Sequence, residues 1–155
     1  MPAVEKQATF NASADEVWGI VSSFGDLPNW LPPVAKSETD GDGVGAVRTL
    51  TMQDGVVVKE RLDAFDGEGR SLAYSMIDTG PLPLVDYRST IRIDAEADDR
   101  CSMVWTGRFE VAGADEAEVV GVVESLYGSG LDTIAKNLAE PVHPAIAKWP
   151  GQAIT

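Results

Sequence analysis

Residues 45–66 read GAVRTLTMQDGVVVKERLDAFD, and this stretch sets the fold. On either side of Asp54-Gly55 the residues alternate: Arg48, Leu50 and Met52 share one parity before the turn, and Val58, Glu60 and Leu62 share one after it. A period of two places successive side chains on opposite faces of a strand. Asp-Gly between two such runs is the strongest short hairpin signal, because glycine supplies the positive φ of a tight turn. Gly45–Gln53 and Val56–Asp66 are therefore expected to pair as antiparallel strands.

The same period extends outward in both directions. Val34–Asp40, Ser71–Asp78, Val85–Glu96 and Cys101–Ala112 alternate in the same way and are separated by Gly, Pro and Asp punctuation, which predicts a six-strand meander. Ala3–Phe10 alternates weakly and reads as one earlier strand. Between it and the meander, Ser13-Ala14-Asp15-Glu16 has capping-box spacing, with Val17, Trp18, Ile20 and Val21 following at helical intervals to about Ser22. Gly25 and Pro28 end that helix before a second short turn carrying Leu27, Trp30 and Leu31. After the meander, Asp115 and Glu118 open a second helix, whose broad apolar face (Val119, Val122, Val123, Leu126, Tyr127, Gly130, Leu131, Ile134, Leu138) continues to about Ala139.

The fold class is thus α+β, with a seven-stranded antiparallel sheet, two short helices after the first strand and one long C-terminal helix. Residues 1–140 read as a single domain and 141–155 as a proline-containing tail with Trp149 and His143, the latter expected at the surface. A helix is only about 10–12 Å wide, so one long helix cannot fill the concave face of a curled sheet, and a cavity is expected between them.

Composition narrows the function. Twelve Lys and Arg against 25 Asp and Glu give a net charge of −13, a field that repels phosphate backbones and anionic headgroups, so nucleic acid is not an expected partner. With 44% apolar residues the chain can bury a core, yet no run approaches the roughly 20 apolar residues of a membrane span. Stable membrane insertion is not expected, and no basic start precedes an apolar leader; the expected compartment is cytoplasmic. One cysteine, Cys101, and one histidine leave no basis for an expected metal site or disulfide. The segment Asp40-Gly41-Asp42-Gly43 lacks the spacing of a calcium loop and reads as a turn. No cofactor is expected, and the chain is expected to be a monomer or homodimer.

Strand parity supplies the candidate site. The more apolar parity carries Leu50, Met52, Val58, Leu62, Tyr74, Met76, Val85, Tyr87, Ile91, Trp105 and Phe109, and mixed into it are Arg48, Glu60, Asp78 and Ser89. Charges facing a sheltered apolar space are costly unless paired or hydrated. Arg48 and Glu60 lie on consecutive strands of the hairpin, six residues before and five after its turn, so they can be cross-strand neighbours. Two readings stay open: a structural ion pair closing one end of a filled core, or a polar anchor in a ligand cavity. Lys59, Arg61, Asp63, Arg88, Arg92, Arg108 and Glu110 fall on the outer, solvated parity.

The run Lys59-Glu60-Arg61-Leu62 with Asp66, Arg70, Tyr74, Pro81-Leu82-Pro83, Tyr87, Val104-Trp105, Gly107 and Phe109 resembles the START/Bet v 1-like (SRPBCC) superfamily, more narrowly its bacterial polyketide cyclase/dehydrase and lipid-transport group, MxaD-like proteins included. The opening residues Phe10–Trp18 and Phe24–Trp30 are similar to that group's opening, and the likeness covers about residues 3–139. It implies the helix-grip fold. Plant abscisic-acid receptors share the superfamily; their Glu-Arg-Leu strand resembles Glu60-Arg61-Leu62, which implies that Glu60 faces a pocket, and their pocket Tyr and Ser match Tyr87 and Ser89, with Tyr74 on the intervening strand. Their ligand-binding lysine falls near Pro32 or Pro33 here, and their gate and latch sequences are replaced, so hormone sensing is not implied. No particular cyclase motif stands out.

The expected function is binding or transport of a small hydrophobic molecule, lipid, aromatic or polyketide-like, in an internal cavity. Its expected lining comprises Trp30, Arg48, Glu60, Leu62, Tyr74, Met76, Tyr87, Ser89, Trp105, Leu126 and Gly130. A second reading is a cyclase/dehydratase-type enzyme with Glu60 as general base and Arg48 with Tyr87 polarising a carbonyl. A third is a partner-binding module acting through an acidic outer face.

Overall fold

The computed structural model describes residues 2–139. Strand β1 (Ala3–Phe10) leads through helix α1 (Ala14–Val21) and a single 3-10 turn (Leu27–Asn29) into six strands, β2 (Val34–Asp40), β3 (Val47–Met52), β4 (Val57–Asp66), β5 (Ser71–Asp78), β6 (Leu84–Ala97) and β7 (Arg100–Val111), followed by helix α2 (Glu116–Ala139). All seven strands form one antiparallel sheet in the order β1-β7-β6-β5-β4-β3-β2. The expectations for His143 and Trp149 lie outside the described residues.

Local chemistry sets the element boundaries. The Ser13 hydroxyl accepts from the Glu16 amide at 3.1 Å and the Glu16 carboxylate accepts from the Ser13 amide at 3.3 Å, so two otherwise free donors at the start of α1 are satisfied reciprocally. Asp115 satisfies one such donor at the start of α2, accepting from the Glu118 amide at 3.1 Å. At the β3–β4 turn Gly55 takes a φ of 92°, a conformation that costs glycine little. Strand β3 begins at Val47 rather than Gly45, because Gly45 also adopts a positive φ and leaves the extended run.

Two bulges change which residues face inward. In β6, Val85 pairs with Glu110 and Arg88 with Arg108, so Asp86 and Tyr87 together oppose Phe109, and Asp86 has a φ of 54°. The extra residue turns both Leu84 and Tyr87 inward, while Val85, expected inside, is 41% exposed. In β5, Asp78 pairs with Lys59 and Met76 with Glu60, which leaves Ile77 as the extra residue. Asp78, also expected inside, is consequently exposed, and its side chain accepts from the Gly80 amide at 2.9 Å. The rest of the inward parity holds: Leu50, Val58, Leu62, Tyr74, Ile91, Trp105 and Phe109 are buried together with Arg48, Glu60 and Ser89.

Helix α2 approaches chiefly β1 and β7. Helix α1 packs on β6 and β7, and among the described residues no helix packs closely on β3, β4 or β5, so a gap is left between those strands and α2. Among the described residues no helix is long and apolar enough to cross a membrane, and no cluster of His, Cys, Asp or Glu is arranged to hold a metal ion.

Candidate functional site

The uncovered concave face bounds a cavity of about 1050 Å³, the upper end of what drug-sized ligands occupy. Its walls are mainly apolar: Leu50, Val58 and Met76 from the sheet face Val119, Val123 and Leu126 from α2. The mouth is formed by the β3–β4 turn (Gln53, Asp54), Leu82-Pro83 and the outer edge of α2, where Val122 lines the space and is 68% exposed. The expected hollow is therefore present, and it opens to the surface.

One end of the cavity is polar. Arg48 and Glu60 are direct cross-strand partners on β3 and β4. The Arg48 guanidinium donates from Nε at 3.0 Å and from Nη2 at 2.7 Å, both to Glu60 Oε1, and from Nη1 to the Phe24 carbonyl at 2.9 Å. Its planar faces are covered by the Phe24 ring at 4.0 Å and the Tyr74 ring at 4.8 Å. The pair is almost wholly buried, and such a pair is held by geometry and complete hydrogen bonding, since desolvation offsets much of its attraction. Glu60 lines the cavity, and among the described residues its second oxygen, Oε2, receives no protein donor.

All three tyrosines of the chain, Tyr74, Tyr87 and Tyr127, meet beside this pair. The Trp105 indole N–H donates to Ser89 Oγ at 2.9 Å and reaches the Tyr74 hydroxyl at 3.2 Å. Ser89 Oγ lies 3.2 Å from the Tyr127 hydroxyl, which is hydrogen-bonded in turn to that of Tyr87. Tyr127 stacks flat on Trp105, with ring centroids 4.0 Å apart and planes within 7°. Gly107, directly opposite Ser89 on β7, makes this possible, because a Cβ there would collide with the Tyr127 hydroxyl.

Burial keeps these phenols neutral. Tyr74 is pushed up to about 12, first by desolvation and then by the negative charge of Glu60. Tyr87 is raised well above its ordinary value by burial, with Tyr74 and Tyr127 adding to the shift. Tyr127 moves in the same direction, again chiefly through burial. At physiological pH the cluster presents uncharged hydroxyl groups beside one neutralised ion pair.

Of the residues expected at the site, Glu60, Tyr74, Met76, Tyr87, Trp105 and Leu126 line the cavity. Arg48 and Ser89 lie behind the wall and hold Glu60 and Trp105 in place. Every nitrogen of the Arg48 guanidinium is engaged within the protein, so its charge reaches the cavity only through Glu60. Leu62, Trp30 and Gly130 are not on the lining. Leu62 is buried opposite Tyr74, and Trp30 packs on Trp105 at 5.2 Å. A Cβ on Gly130 would come within 3.0 Å of Trp105 and Leu31 and 3.1 Å of Trp30, so this glycine lets α2 seat against aromatic rings. Gly128 has nothing within 4 Å.

Tyr127 was not among the expected site residues. The available signal was a tyrosine hydroxyl in the apolar stripe of α2, which must find a partner once buried, together with a glycine on the strand it faces. The mouth residues Gln53, Asp54, Leu82 and Pro83 lie in turns, where strand parity says nothing.

Comparison with known proteins places this architecture. The family model described as polyketide cyclase / dehydrase and lipid transport matches residues 1–139. The protein XoxI from Bacillus cereus superposes with a TM-score of 0.85 at 26% identity, covering 92% of this chain and 99% of its own. A truncated norcoclaurine synthase from Thalictrum flavum gives 0.69 at 28% identity, covering 90% of this chain and 94% of its own. The Zhui aromatase/cyclase from Streptomyces gives 0.77 at 21% identity over 94% and 98% of the two chains, a likeness that speaks for the fold alone. No curated protein matches. With the family model spanning all the described residues and the helix-grip architecture shared with these structures, the chain belongs to the polyketide cyclase / dehydrase and lipid transport family and has its Bet v 1-like fold.

Proposed function

We propose that the protein binds a small, largely apolar molecule in the cavity between the sheet and α2, as a carrier or receptor of that molecule. The observation that carries this reading is the distribution of polarity: a wall of aliphatic side chains with hydrogen-bonding groups gathered at one end, around Glu60 and Tyr74. Apolar walls supply affinity through buried area, and a few placed polar groups fix orientation. Native mass spectrometry of the protein as purified from cells tests it. A bound mass that disappears on unfolding supports the reading, and an empty protein that takes up no lipid, quinone, steroid or aromatic polyketide speaks against it.

A cyclase/dehydratase-type activity is the second reading, and one observation favours it: the donor-free Oε2 of Glu60 on the cavity wall. A carboxylate oxygen there can take a proton from a bound carbonyl compound, while the neutral phenol of Tyr74 donates to the carbonyl oxygen; the Tyr87 hydroxyl, expected in that role, spends its hydrogen on Tyr127, which donates in turn to Ser89. The name of norcoclaurine synthase makes that relative an enzyme. In this reading Glu60→Gln abolishes product formation while the apolar body of the substrate still binds; unchanged turnover removes the mechanism.

A further inference from the structure

The hydrogen inventory at the polar end of the cavity specifies what its ligand carries there. Tyr74 has one hydroxyl hydrogen. The partners of that hydroxyl are the Trp105 indole N–H at 3.2 Å, which can only donate, and the Ser89 hydroxyl. Ser89 Oγ already accepts from Trp105 and from Tyr127, so its own hydrogen is the one it offers to Tyr74; Tyr74 accepts from both neighbours, and among the described residues its own hydrogen has no acceptor. Glu60 is the complement, because both Arg48 bonds fall on Oε1 and Oε2 has no donor.

These two deficits face the same space. Glu60 and Tyr74 both line the cavity and are both buried. Glu60 pairs with Met76 and Leu62 with Tyr74, so the two side chains sit diagonally across adjacent strands on one face of the sheet. Diagonal neighbours have backbones about 7–8 Å apart, within the reach of long and aromatic side chains, so one ligand group can meet both. Their charges also sense one another, since Glu60 contributes to the upward shift of Tyr74.

We infer that this end of the cavity is built to take a single neutral hydroxyl group of the ligand, an alcohol or phenol, which donates its hydrogen to Glu60 Oε2 and accepts the hydrogen of Tyr74. The inference rests on the cavity reading above and adds the chemical class of the bound group. A ketone or ether has no hydrogen for Oε2, and a carboxylate is repelled by it. A bare hydrocarbon displaces the water that such groups hold without replacing its bonds. Leaving a buried donor or acceptor unpaired is what costs affinity, so selectivity comes from the mismatched ligands.

Pyrene and its hydroxy, methoxy and carboxylate derivatives make a matched fluorescent series for titration against the whole protein. Hydroxypyrene is expected to bind about tenfold more tightly than pyrene or methoxypyrene, with pyrenecarboxylate weakest, the size of effect that one hydrogen bond to a charged group gives. In Tyr74→Phe, which keeps the ring over Arg48, the ratio of hydroxypyrene to pyrene affinity should shrink toward unity. In Glu60→Gln the amide brings a second donor, and preference should pass to acetylpyrene. If Glu60→Gln fails to fold, Tyr74→Phe decides alone. Equal binding of hydroxypyrene, methoxypyrene and pyrene to the wild type overturns the inference and leaves the cavity reading intact, and a hydroxyl preference that survives Tyr74→Phe overturns it as well. Failure of the whole series to bind overturns both.

Discussion

Both hydrogen bonds from Arg48 to Glu60 end on one carboxylate oxygen, at 3.0 and 2.7 Å, and the other oxygen belongs to a residue on the cavity wall. A fully reciprocal pair would close the interior. This one closes half of it and keeps the remaining oxygen for whatever occupies the space.

The first consequence concerns stability. Arg48→Met leaves a buried carboxylate without its cation and should destabilise the fold by about 3–5 kcal/mol, whereas Arg48→Met with Glu60→Leu should recover most of that loss. Chemical denaturation of the two variants and the wild type measures the difference; equal stability of the single and double variants would contradict the description of the pair.

Gly107 and Tyr127 make a second coupled pair. Gly107→Ala puts a methyl group where the Tyr127 hydroxyl sits, and overpacking of this kind costs about 1–3 kcal/mol. Tyr127→Phe removes the obstructing hydroxyl, so the double variant should lose less than the sum of the two single variants. Strict additivity in thermal unfolding would show that the hydroxyl does not occupy the place described.

The tyrosines give a pH signature. In the unfolded chain all three ionise near the ordinary value of about 10. In the folded chain Tyr74 is held up to about 12, and Tyr87 and Tyr127 are also raised. The folded state therefore keeps protons that the unfolded state releases. The stability linked to these groups is complete below about pH 10 and is lost as pH rises toward about 12. Tyrosinate absorbance should stay flat through the ordinary range and rise together with unfolding; an ordinary titration of any one tyrosine in the native state would contradict its burial.

Much of this was legible in the sequence, for identifiable reasons. The parity of residues 45–66 and the Asp54-Gly55 turn fixed the hairpin, and with it the opposition of Arg48 and Glu60. Ser13 and Glu16 announced their helix through side-chain chemistry alone. What parity misplaced were Val85 and Asp78, because one extra residue at Asp86 and one at Ile77 put the side chains before and after each bulge out of step. An aspartate in the left-handed region carries no unmistakable mark in a single sequence. The role of Tyr127 was hidden for a different reason: its partners Tyr87, Ser89 and Gly107 lie on other elements, and only the docking of α2 brings them together.

The central claim is that the hollow beside α2 is where a ligand binds, and a cavity-filling variant tests it most directly. Leu126 lines the hollow from α2, and Leu126→Trp places a large ring in it. Thermal unfolding of the wild type in the presence of hydroxypyrene should show the fold stabilised as ligand rises above its dissociation constant, by about 2.7 kcal/mol at a hundredfold excess. Leu126→Trp should unfold at the same temperature with and without the compound. Equal stabilisation of both proteins, or of neither, would contradict the account.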